Sequence, residues 1–169
     1  MRILRFALYA LSAIVLLGLG ALVFLLKSYP AVQLPESLKP GPAGSVRTLF
    51  LGTSSMAWTD GQSTWLVDGF FSRQPLSEVA FTRLNVDENQ VGAVAAEMFK
   101  RLDMPSALSG IVVAHSHYDH SLDAPFLAKQ YGARVVGSES TLQIAKGQDV
   151  PTTQIDAFTG SGRVKLGEF

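Results

Sequence analysis

The stretch VVAHSHYDHSLD, residues 112–123, holds all three histidines of the 169-residue chain. His115, His117 and His120 fall within six positions, with Asp119 among them. In an extended segment the side chains at i and i+2 point the same way, so His115 and His117 can address one ion. Asp119 and His120 arrive as the chain turns and can address a second beside it. Imidazole and carboxylate donors suit Zn²⁺, which takes nitrogen and oxygen ligands at about 2.0–2.2 Å. The competing description is a solvated loop whose aspartate is a turn residue. Chance would scatter three histidines along the chain rather than gather them behind one apolar run, so a metal site is the better reading. The chain has no cysteine, which excludes thiolate ligands, disulfides and Cys nucleophiles. Ser54 and Ser55 have no histidine left to act as a base once the cluster takes all three, and they read as turn residues.

The surrounding pattern supplies a scaffold. GIVVA (110–114) is a continuous apolar run bounded by turn residues, as in a strand buried on both faces. SVRTLFLG (45–52) and STWLVD (63–68) are further strands, with Asp60-Gly61 as a hairpin-turn signal between them. From Asp87, paired with Gln90 as in a capping box, Val91, Val94, Ala95, Met98 and Leu102 recur at helical spacing. A second helix is expected from near Asp123, its N-cap, with Pro125 in the first turn and a stop at Gly132. ARVVG (133–137) reads as a strand and SESTLQIAKG (138–147) as a short helix. Strand, helix, strand, helix at this spacing indicates βαβ units on a largely parallel α/β sheet. Reactive groups in such sheets collect beyond the carboxyl ends of the strands, where the histidines begin.

His-x-His-x-Asp-His (115–120) resembles the defining motif of the metallo-β-lactamase-fold metallo-hydrolases. LFLGTSS (49–55) and WLVDGFF (65–71) are similar to that fold's early strands, and GRVKLGEF (162–169) looks like a later one. The resemblance implies the N-terminal half of an αββα sandwich over residues 46–169, with two zinc ions in the complete enzyme. His115 and His117 would bind the first and Asp119 and His120 the second. A hydroxide between them, oriented by catalytic Asp119, would attack an ester, lactone or phosphodiester. Asp68 would steady a ligand histidine by a hydrogen bond. The family supplies further ligands downstream, and no histidine follows His120. The expectation is therefore a truncated portion of a longer enzyme, inactive by itself. An iron oxidoreductase branch of the fold commonly has glutamate at the second ligand position, and His117 there favours zinc. The other alternative is a non-catalytic, degenerate homologue acting as a tethered binding partner.

Residues 1–27 carry a different signal. From Phe6 to Leu26 the chain runs 21 residues without a charge, enough for a helix of about 30 Å, the thickness of a bilayer's hydrocarbon core. The run exceeds the apolar stretch of a cleavable signal peptide, and no A-x-A-like site follows. It reads as an uncleaved, single-pass anchor. Arg2 and Arg5 precede it and Lys27 follows, so the remainder is expected on the non-cytoplasmic, periplasmic side. Residues 28–45 hold four of the eight prolines and read as a semi-rigid spacer. Residues 46–169 carry 10 basic and 13 acidic side chains. That balance argues against nucleic acid as a partner, whereas the anchor suggests the bilayer and a small or lipid-like substrate in or near it.

Overall fold

The structure is a computed structural model that describes residues 2–27, 41–42, 44–158, 160 and 162–169. Most of the expected spacer at 28–45 lies outside the described residues. Two compact units are resolved, Met1–Gln33 and Leu34–Phe169. In the first, helix α1 (Arg2–Lys27) exposes its apolar side chains from Phe6 to Phe24. Among the described residues it is the one helix long and apolar enough to cross a membrane, a character that a secretory leader shares.

The second unit is built on a six-stranded sheet in the order β1 (Arg47–Gly52), β2 (Ser55–Thr59), β3 (Thr64–Val67), β4 (Gly110–Val112), β5 (Arg134–Gly137) and β6 (Ile155–Ala157). The first three strands form an antiparallel meander, and β3 to β6 run parallel. The sheet is therefore mixed, and it contains a strand, β2, that the turn-like Ser54-Ser55 pair conceals in the sequence. The hairpin expected at Asp60-Gly61 joins β2 to β3. Asp60 Oδ1 accepts from the amides of Gln62 and Ser63 at 2.8 and 2.7 Å, which closes the turn locally. Those donors, Ser63 foremost, hold the half-buried Asp60 carboxyl below the usual range.

Helices α3 (Glu88–Leu102), α5 (Ala124–Tyr131) and α6 (Glu139–Gly147) line one core with the sheet. Strand residues Leu49, Leu66, Ile111 and Val135 face them, and α3 buries Val91, Ala95, Met98, Phe99 and Leu102. Two short helices, α2 (Leu76–Phe81) and α4 (Tyr118–Ser121), lie in the loops that follow β3 and β4. Only half of the expected capping box forms. Asp87 Oδ1 accepts from Gln90 N at 3.0 Å. The Gln90 amide does not return to Asp87 but donates to the carbonyls of Phe71 and Ser72 at 2.6 and 3.0 Å. Asp87 N instead donates to Ser72 Oγ at 2.8 Å.

The opposite sheet face carries Trp58 and Trp65, stacked with ring centroids 5.7 Å apart and planes at 11°. Phe169 meets Trp65 edge-on at 5.9 Å. Residues 162–169, expected as a strand, form none. No strand pairs with them, and their polar backbone is met partly by side chains: Arg134 donates to Lys165 O at 3.2 Å, and Glu168 N donates to Ser63 Oγ at 3.0 Å. Leu166 packs over Gly110, where a Cβ would collide with it.

Candidate metal centre

The cluster starts at His115, three residues past the end of β4. Val113 N donates to Val136 O at 2.8 Å, continuing the parallel pairing one step beyond the strand. The next amide, Ala114 N, turns to a side chain and donates to Asp68 Oδ1 at 2.8 Å. His115 and His117 follow, both exposed, with ring centroids 4.0 Å apart. The alternation of an extended segment places them side by side, as the sequence implies. His117 then becomes the N-cap of α4, and the buried Ser121 hydroxyl is shared between the carbonyls of Ser116 and His117. This single turn of helix brings His120 back, so that its ring centroid lies 5.5 Å from that of His115. Asp119 Oδ2 stands 3.8 Å from His120 Nε2.

Asp68 sits behind His120. It follows β3 in the left-handed conformation, at φ 60°, and is wholly buried. Its amide donates to Val112 O at 2.9 Å, its Oδ1 accepts from Ala114, and its Oδ2 lies 2.8 Å from His120 Nδ1. A carboxylate 2.8 Å from Nδ1 fixes the ring orientation and would accept an Nδ1–H, the tautomer that presents Nε2 outward. The side chain thus reaches the segment that follows β4 rather than capping its own turn. Ser54 Oγ also stands 3.1 Å from His120 Nδ1. Sequence reasoning missed this contact, and a separation of 66 residues leaves no local signal for it.

Asp123 departs from its expected use. It holds the N-cap position of α5, but its side chain makes no cap bond. Instead Oδ2 accepts from the amides of Phe71 and Ser72, and Oδ1 from Ser72 Oγ, each at 2.6 Å. Burial pushes its carboxyl above the usual range, opposed by these donors. Phe70 packs edge-on against Tyr118 at 5.9 Å, and its amide donates to Ser55 Oγ at 2.9 Å. Ser55 is thus a buried anchor at the start of β2, not a turn residue.

The donor set of three imidazoles and a carboxylate has the chemistry that zinc prefers. Among the described residues, however, no three His, Asp or Glu side chains close around a single ion. The donors are gathered but do not complete a cradle.

A mixed sheet with one helical layer, and a His-x-His-x-Asp-His loop beyond a parallel strand, define a chain of the metallo-β-lactamase fold. The solved structure of the metallo-β-lactamase SMB-1, in complex with mercaptoacetic acid, superposes with a TM-score of 0.50 at 21% identity, covering 72% of this chain and 47% of that one. A UPF0173 metal-dependent hydrolase of Chloroflexus aurantiacus is 33% identical over 61 residues, which is 36% of this chain and 25% of the relative. A UPF0173 metal-dependent hydrolase of Pyrobaculum neutrophilum is 37% identical over 59 residues, 34% of this chain and 26% of the relative. The matches thus span about a quarter of each curated relative and about half of the lactamase. No protein-family model matches the chain.

Proposed function

We propose that residues 46–169 form the metal-binding part of a zinc-dependent hydrolase that α1 tethers to a membrane. His115 and His117 hold one ion, Asp119 and His120 a second, and Asp68 fixes the ring of His120. Zinc supplies Lewis acidity, which makes hydroxide accessible near neutral pH. Asp119, half-exposed beside His120, would orient the attacking oxygen. The substrate class is an ester, lactone or phosphodiester, small or lipid-like, and the acidic balance of the domain disfavours nucleic acid.

One observation carries this reading: three imidazoles meet at the end of β4, and one of them is backed by a buried carboxylate. Support for hydrolysis comes from the metal-dependent hydrolases that the chain resembles over a quarter of their length. The second reading is a non-catalytic homologue, tethered and acting through a partner, favoured by the absence of a closed ion cradle among the described residues. Metal content by mass spectrometry and turnover of an ester, lactone and phosphodiester panel separate the two. Within an active hydrolase that contains these residues, His117→Ala should remove the first metal and nearly all hydrolysis, and Asp119→Ala should abolish turnover while some metal stays bound. In the 169-residue chain zinc binding is expected to be weak, because two imidazoles do not close a tetrahedral site. Full activity in His117→Ala would show that the chemistry lies elsewhere.

A further inference from the structure

Two buried aspartates join the same pair of segments from opposite directions. Asp68, in the segment that leaves β3, reaches Ala114 and His120. Asp123, in the segment that follows the histidines, reaches back to Phe71 and Ser72. Both are fully buried. Between Asp68 and Phe71 stands Gly69 at φ 87°, so two successive residues hold the left-handed conformation. Such a backbone does not hold itself in place; for a non-glycine residue it is strained and persists only when surroundings impose it. Three side chains impose it. Asp123 takes both amides beyond the turn, Gln90 takes the two carbonyls of the same residues, and Ser55 takes the amide of Phe70.

We propose that Asp123 is a positioning residue for His120. By collecting the Phe71 and Ser72 donors it fixes the turn that carries Asp68, and so keeps Asp68 Oδ2 on His120 Nδ1. The result is a single imidazole tautomer, protonated at Nδ1, with Nε2 held ready as a ligand nitrogen. A capping role for Asp123 would act on α5 alone; the observed bonds act on a turn 51 residues away in sequence. Orientation of the ring stands on this geometry, and its effect on metal retention rests on the metal-binding reading above.

The experiment uses the whole chain in detergent micelles, metal-free, with ¹⁵N-labelled histidine. Three histidines give three imidazole spin systems, assigned by single His→Gln variants. Wild type should show His120 as the Nδ1–H tautomer. Asp123→Asn leaves one acceptor oxygen where the carboxylate offered two to these three donors, and should shift His120 to a mixture of tautomers. Ser72→Ala removes only the hydroxyl donor and should give a smaller shift in the same direction. Met98→Ala, in the core of α3, destabilises the fold without touching the brace and should leave the His120 signature unchanged. Zinc titration should then show about a 10-fold weaker affinity for Asp123→Asn. An unchanged His120 signature in folded Asp123→Asn overturns the proposal. If that variant fails to fold, an unchanged signature in Ser72→Ala overturns it equally, as does a shift of the same size in Met98→Ala. The metal reading fails separately, if zinc affinity is the same in wild type and His115→Ala while the tautomer behaves as stated.

Discussion

Asp68 serves two partners with one carboxylate, from a backbone conformation that aspartate tolerates better than most side chains. Asp68→Asn keeps the shape and still accepts from Ala114, but turns an amide donor towards His120. The imidazole must then present its other tautomer, with the proton on Nε2. A 10–100-fold loss of zinc affinity is expected from calorimetric titration, with little change in unfolding midpoint. Asp123 bears on pH dependence. Its pKa is raised in the folded state, chiefly by burial, so between the ordinary carboxylate value and the raised one the folded chain binds the extra proton. Stability from this group is therefore fully present below the ordinary value and declines as pH rises through the raised one. Denaturant melts across that window should show the decline in wild type and its removal in Asp123→Asn. The cluster itself is legible from residue types and spacing, and the histidine neighbours that the spacing implies are found. The brace is not legible. Asp-Ala-Pro before a helix has every local mark of a cap, and only the folded chain places Ser72 where it outcompetes that use.

Helix α3 is the element most open to sequence reading, because Val91, Ala95, Met98 and Leu102 repeat at one helical face and all are buried. Its cap is legible too. Asp87→Ala should cost about 1 kcal/mol of stability by chemical denaturation, the usual worth of such a cap. Strand β2 is the least legible element, since it opens on the second of two serines and alternating Met56, Ala57 and Trp58 make only a brief pattern. Residues 162–169 show the converse error: strand-like composition produces no strand where no neighbour offers a ladder. The turn after β3 illustrates a position that only one residue type fits. A Cβ at Gly69 would lie 2.9 Å from Leu127 Cδ1, in a backbone at φ 87°. Gly69→Ala should destabilise the domain by at least about 1 kcal/mol and loosen the Asp68–His120 contact, seen as a broadened imidazole resonance.

For the whole molecule, the flanking charges of α1 set an expected topology of a single pass with residues 46 onward outside the cytoplasm. A reporter fused after Ser45 that works only in the cytoplasm should therefore be silent there, and its activity would reverse the orientation. The domain's helical face is closed by its own core, whereas the other sheet face is met by the short segment from 162 to 169 and the Trp58–Trp65 stack. Those two rings are the chain's entire tryptophan content, and both indole nitrogens are buried without a partner. The protein thus carries a built-in optical gauge of that one face: its emission colour and exciton-coupled circular dichroism report wetting or covering of the sheet there, with no label and no contribution from the histidine end.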